Sequence, residues 1–270
     1  MFNLIKTKTM KNFRRILCLC LLSVIAVGIS SCSKDNTTTT GPAGPAGPSL
    51  KGDLKGHIFC YDQYGVPILG NLSLIGIKDS MNGTTNVVHP DSTGAYTFSS
   101  LSTGNYSFTI TASGYGTNMV QNIQFVGGGN LNHDVKISQI PSYYVGNLYD
   151  SIAPAADTLV FIKGALATSD VQVRTVVVFV SNNINCSYQP QYYLDYFSAN
   201  TTATGSNFSI KIPKTTFNNM GIASGSTAYV AAYGVAVNFA SSSEYEDLST
   251  GRTVFNALNT TPYTMNFIVP

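Results

Sequence analysis

From residue 56 onward, apolar residues recur at every second position in short runs, and clusters of Gly, Pro, Asn, Asp and Ser separate the runs. A period of two puts alternate side chains on one face of a β-strand, so the pattern predicts strands rather than helices. The first run is Ile58-Phe59-Cys60-Tyr61. The stretch 62–67 after it has turn chemistry: Gly65 can take a positive φ, and Pro67 blocks continuation of the strand. Leu72, Leu74 and Ile77 suggest a second strand. Two near-identical phrases follow, STGAYTF from Ser92 and STGNYSF from Ser102. Their spacing is too short for a repeat architecture, whose periods run about 20–50 residues. Each phrase reads as a Gly turn that launches a strand with Tyr and Phe on one face: Tyr96 and Phe98 in the first, Tyr106 and Phe108 in the second. The two strands are expected to form one hairpin, with Gly94 and Gly104 solving the same backbone problem.

The second half carries further runs at 159–166, 171–181, 188–197, 208–212, 228–237 and 265–269. Residues 176–180, Val-Val-Val-Phe-Val, are apolar without alternation, as in a strand covered on both faces. Residues 141–154, bounded by Pro, read as a joint. The expected fold class is all-β, two tandem β-sandwiches.

Composition agrees with this. Charged residues make up 10% of the chain and Trp is absent, while Tyr (16), Phe (14) and Gly (24) are abundant. Aromatic and β-branched side chains suit a pleated surface. The length of 270 residues accommodates two cores. The formal charge of +2 is set by the N-terminus: Lys6, Lys8, Lys11, Arg14 and Arg15 precede residue 32 and no acid does, which leaves 10 basic against 13 acidic residues beyond it. No basic patch remains to bind nucleic acid.

Lys11, Arg14 and Arg15 make a positive n-region, and the apolar stretch 16–29 has the length of a signal h-region rather than of a membrane span. It ends in Ile29-Ser30-Ser31-Cys32, which resembles a bacterial lipobox. The resemblance implies cleavage before Cys32 and acylation of Cys32, with each buried CH₂ holding the chain to lipid by ~0.8 kcal/mol. Lys34-Asp35 loosely resembles the charged export signals of Bacteroidota lipoproteins, which implies the outer membrane, facing the periplasm or the cell surface. Residues 36–49, NTTTTGPAGPAGPS, read as a polyproline II spacer, since three collagen-like triplets cannot hold a triple helix. The expected organisation is a signal peptide over 1–31, a lipid-anchored tether over 32–51, and sandwiches over 52–142 and 143–270.

Within the first sandwich, Gly56-x-Ile58, Asp62, Gly65, Pro67-Ile68, Leu72-x-Leu74, Asp91-Ser92-x-Gly94-x-Tyr96-x-Phe98, Leu101, Gly104-x-Tyr106 and Gly114-Tyr115 form an ordered series that resembles the carboxypeptidase regulatory-like domain. That resemblance covers about 54–140. It implies a transthyretin-like β-sandwich, often grouped with carbohydrate-binding-like folds, that serves as a non-catalytic accessory module. In the second sandwich, residues 225–233 resemble the penultimate strand of a fibronectin type III domain; the usual early Trp is missing, so the expectation there is an immunoglobulin-like sandwich.

Little in the chain suggests catalysis. The three histidines, His57, His89 and His133, stand in no zinc-binding spacing, and Glu occurs only at 244 and 246. No Gly-x-Ser-x-Gly elbow or phosphate-binding Gly loop appears. The expectation is a protein that is not an enzyme and has no cofactor, metal or catalytic residue. Glu244-Tyr245-Glu246-Asp247 has the oxygens for Ca²⁺ but reads more simply as a solvated loop. Cys60 and Cys186 could pair in an oxidising envelope, although Cys60 shares a strand face with Ile58 and reads as a small core residue. Tyr188, Tyr192, Tyr193, Tyr196 and Phe197 form the densest aromatic cluster, and its four tyrosines are a candidate ligand platform, since a Tyr ring stacks on a sugar and its hydroxyl hydrogen-bonds; the simpler reading is a hairpin whose rings alternate between core and surface. Asp150-Ser151-Ile152, in the expected joint, is similar to Bacteroidota O-glycosylation sites, which makes Ser151 a candidate acceptor. Two functions fit: a lipid-anchored interaction or scaffold protein presenting its distal sandwich to a protein partner, or a glycan-binding surface lipoprotein. In both, Cys32 is the contact with the membrane.

Overall fold

The structure is a computed structural model that describes residues 50–70, 72–79, 86–152, 159–167, 172–201, 205–236 and 244–270. The signal peptide, Cys32 and nearly all of the tether lie outside the described residues. The segment Ser49–Pro270 forms one compact unit.

The alternation around Ile58 extends further back than the sequence suggested, and Lys51 belongs to a strand, not to the tether. Strand β1 (Lys51–Tyr61) buries Leu54, Ile58 and Cys60 and is the hub of the first sheet. On one side it pairs antiparallel with β2 (Pro67–Ile68) through Cys60 and Tyr61 and with β5 (Ala95–Ser102) through residues 51–57. On the other side it runs parallel to β8 (Asn130–Asn132) and β9 (Val135–Ser138). The facing sheet has the order β4 (Asn86–Val88), β3 (Gly76–Asp79), β6 (Gly104–Thr111), β7 (Asn118–Phe125).

The two Ser-Thr-Gly strands therefore do not pair as a hairpin. β5 and β6 lie in opposite sheets and meet across the core, where the Phe98 and Phe108 ring centroids are 4.8 Å apart. Ser100 also interrupts β5 itself. Its φ of 59° breaks the alternation set by Tyr96 and Phe98, so that Leu101 is buried and Ser100 is exposed. The two glycines also differ. Gly94 has φ 90°, and a Cβ there would lie 2.6 Å from the Ile58 carbonyl oxygen; Gly104 is an ordinary strand residue. Asp91 braces the first turn by accepting from the Thr93 amide (2.8 Å) and hydroxyl (2.7 Å), and these bonds hold its carboxyl below the usual range. The expected second strand is likewise split: Leu72–Leu74 is a 3₁₀ turn that leaves Leu74 exposed, and the strand begins only at Gly76.

Among the described residues the second sandwich has seven principal strands. β10 (Val145–Ile152), β11 (Leu159–Leu166) and β14 (Asn207–Pro213) form one sheet. β13 (Asp195–Asn200), β12 (Thr175–Ser181), β15 (Thr227–Val235) and β18 (Tyr263–Ile268) form the other. Counted along the chain, strands one, two and five face strands four, three, six and seven. This is the immunoglobulin strand order with the fourth strand moved to the opposite sheet. A short helix, α1 (Lys214–Asn219), turns Phe217 into the core after β14. The stretch read as a joint is mostly strand β10, because Val145 and Leu148 face the core; the connection shrinks to residues 141–144.

Strand β12 is buried at every position. Val176, Val178 and Val180 face the other sheet, while Val177 and Phe179 face a third layer. That layer holds the segment around Cys186, a 3₁₀ turn at Pro190–Tyr192, the hairpin of β16 (Tyr245–Asp247) and β17 (Arg252–Val254), and the residues just after it. A strand with apolar layers on both faces needs no alternation, which is why 176–180 reads as one run.

The sandwiches are joined by packing as well as by chain. The Tyr143 hydroxyl donates to the Val235 carbonyl, and its ring stacks 6.4 Å from that of Tyr64 in the first sandwich. The Ser142 amide donates to Gln63 Oε1 at 2.8 Å. Gly116 meets the backbone of Asn256 so closely that a Cβ would lie 2.2 Å from its carbonyl oxygen.

Candidate functional site

The candidate tyrosine platform does not form one surface. Tyr193 is 3% exposed, its hydroxyl donates to the Thr253 carbonyl at 2.7 Å, and burial pushes the phenol up to about 12. Arg252 lies over its ring at 5.4 Å and donates through Nη1 to the carbonyls of Pro190 (2.6 Å) and Tyr193. These contacts rivet the β16–β17 hairpin onto the sheet. Tyr196 is half-buried, edge-on to Phe255 with 4.7 Å between centroids. Tyr192 ends the 3₁₀ turn, also half-buried. Only Tyr188 turns outward: it is 39% exposed, and its ring stands edge-to-face on Tyr233 at 5.7 Å. The expected strand over 188–197 fails because Pro190 and the buried Tyr193 fold this stretch over β12, leaving only its end as β13.

Tyr188 lines a cleft of about 340 Å³, toward the low end of small-molecule sites. Its other walls come from far apart in the chain: Thr117 from the first sandwich, Tyr245 from the cover hairpin, and Asn256, Asn259 and Thr260 from the segment after it. That segment is clipped to the end of β15, where Asn259 Oδ1 accepts from the Gly234 amide at 2.6 Å and the Asn259 amide donates to the Gly234 carbonyl at 3.0 Å. Burial, then the Asp247 carboxylate and the Tyr188 hydroxyl, raise the Tyr245 phenol above its ordinary value. It therefore stays protonated at neutral pH and can donate. Among the described residues no charged side chain lines the cleft. Its chemistry is apolar ring faces together with hydroxyls and amides, which suits reversible binding of an uncharged ligand. Sequence reasoning found Tyr188 but missed the rest, because nothing local marks Thr117 or Tyr245 as neighbours of Tyr188.

The remaining candidates resolve individually. Cys60 and Cys186 are free, buried in separate cores, and burial pushes their thiols up to about 11 and about 12. Ser151 is half-buried within strand β10, opposite Phe161, rather than in an open joint. The Asp247 carboxylate is engaged in its own turn, accepting from the Ser249 amide at 2.8 Å and the Thr250 amide at 3.1 Å. Among the described residues no three His, Cys, Asp or Glu side chains gather as a metal site, and no helix is long and apolar enough to cross a membrane.

The architecture is that of two β-sandwiches, the first a hub-strand sandwich and the second immunoglobulin-like in strand order. Residues 69–138 match the carboxypeptidase regulatory-like domain. The hub strand β1 precedes the matched segment, yet it completes the same sandwich. Among solved structures, the chain is similar to a candidate carbohydrate binding protein from Bacteroides uniformis, at 16% identity over 82% of this chain and 100% of that one, with a TM-score of 0.27. It is also similar to a DUF3823 family protein from Parabacteroides merdae, at 11% identity over 78% and 98% of the two chains, with a TM-score of 0.28. At such TM-scores the likenesses assign neither fold nor function. No curated protein matches the chain.

Proposed function

We propose that this protein is a non-catalytic, lipid-anchored binding protein of the outer membrane, and that its Tyr188–Tyr245 cleft holds a neutral glycan. The observation that carries the reading is the cleft itself: two tyrosines with hydroxyl and amide neighbours, and no charged side chain among the described lining residues. Sugars offer apolar faces to rings and hydroxyls to polar groups, so this lining complements them. Burial holds the Tyr245 phenol protonated, above its ordinary value, which suits donating a hydrogen bond to a bound ligand.

The test is retardation of the protein in native gels containing neutral polysaccharides. Tyr188→Ala is expected to weaken binding roughly tenfold, from a stacking contribution of ~1.5 kcal/mol, with the circular dichroism spectrum unchanged. A panel without retardation, or one that ignores this substitution, rejects the cleft as a glycan site and returns a protein partner as the reading to pursue. Anchoring is tested separately: Cys32→Ala is expected to move the protein from the membrane fraction to the soluble fraction, and a variant that stays with the membrane refutes acylation at Cys32.

A further inference from the structure

The outer face of the β10–β11–β14 sheet carries a second kind of chemistry. Strand register arranges its outward residues in rows. Tyr149 stands opposite Lys163, which stands opposite Ser209; Ser151 stands opposite Phe161, which stands opposite Lys211. Residues opposed on neighbouring strands have Cβ atoms ~5 Å apart, and diagonal ones lie ~7–8 Å apart. Tyr149 and Phe161 therefore form one diagonal, and Lys163 and Lys211 form a parallel diagonal beside it. Tyr149 is 55% exposed, and Ser209 and Lys211 are exposed as well. Lys163 Nζ lies 5.2 Å from the Phe161 ring centroid, which keeps its charge at the face. The one acid of these three strands, Asp150, stands opposite Ile162 and follows the core-facing alternation.

We infer that this face binds an acidic polysaccharide, its sugar rings on Tyr149 and Phe161 and its ring carboxylates on Lys163 and Lys211. The local charge is opposite to that of the chain beyond residue 32, where 13 acidic residues outnumber 10 basic ones. Two cations among outward strand residues that include no acid are thus a local arrangement and not a reflection of overall composition. Aromatic rings beside the cations favour a sugar chain over a bare polyanion, because stacking needs a flat apolar face to meet. Two lysines are also few for nucleic acid, whose binding grows with the number of phosphates neutralised.

The experiment is affinity electrophoresis of the full chain in mild detergent, with polygalacturonate, neutral dextran and double-stranded DNA as probes. Polygalacturonate is expected to retard the protein, dextran and DNA much less, and added NaCl should weaken the retardation. The double variant Lys163→Gln, Lys211→Gln should bind polygalacturonate at least tenfold more weakly, and Tyr149→Ala several-fold more weakly. All three side chains lie on the outer face, and circular dichroism checks that each variant is folded. Tyr188→Ala should leave this retardation intact, which separates the face from the cleft. No retardation by polygalacturonate, retardation that survives the lysine exchange, or DNA bound as tightly as polygalacturonate overturns the inference.

Discussion

Phe179→Ala is expected to cost about 3–5 kcal/mol of stability, the range for removing a large aromatic from a core. Phe179 is fully buried in the middle of strand β12. Its ring lies 5.0 Å from Tyr193, 5.2 Å from Phe255 and 5.7 Å from Tyr233. These are the residues that attach the third layer to the sheet, so the cavity opens where the layers meet. For a chain of this size the loss corresponds to a fall in melting temperature of roughly 6–20 °C. Phe179→Leu fills part of the space and should lose less. The measurement is urea unfolding of the two variants beside the unaltered chain. A cost under about 1 kcal/mol for Phe179→Ala, the level of surface exchanges rather than core ones, would mean that the third layer does not pack on β12 as described.

Gly116→Ala is the second large effect, and its consequence is expected in binding as much as in stability. An added Cβ would meet the Asn256 carbonyl oxygen at 2.2 Å, the Asn256 carbonyl carbon at 2.4 Å and the Ala257 nitrogen at 2.8 Å. All three are backbone atoms, so no rotamer change relieves the contact, and the segment 256–260 must move. That segment forms a wall of the Tyr188 cleft, and Thr117 beside Gly116 forms another. Overpacking of this kind costs ~1–3 kcal/mol. Glycan retardation through the cleft should fall by a larger factor than stability alone explains. Gly129→Ala is the control: a Cβ there has nothing within 4 Å, and little change is expected. Equal behaviour of the two variants would show that the sandwiches do not touch at Gly116.

The strands of the second sandwich were largely legible, because their alternation is local. β11 occupies 159–166 as the pattern indicates, and the unbroken apolar run of β12 correctly signalled cover on both sides. What failed was pairing and phase. The pattern of β5 and β6 says which face is buried but not which sheet each strand joins, and the positive φ at Ser100 leaves no clear mark in residue types. The aromatic density of 188–197 looked like a surface platform because a Tyr that rivets two layers and a Tyr that meets solvent are the same letter. Only the position of Arg252, some 60 residues on, tells Tyr193 from Tyr188. Of the cleft, one residue was visible in advance, since its walls come together only when the cover hairpin and the first sandwich are in place.

The parallel course of β1 and β9 has a mechanical side. The chain enters the first sandwich at the start of β1 and leaves for the second just beyond the end of β9. Tension between the N-terminal side of Lys51 and the distal sandwich pulls these strands past one another instead of peeling them apart. The four registered pairs from Ile58↔Val135 to Tyr61↔Ser138 then take the load together, in shear. A hairpin pulled from its open end yields one bond at a time; this pair must yield all at once. The strand that the family match leaves out is thus the clasp through which any pull on the N-terminal side reaches the rest of the molecule.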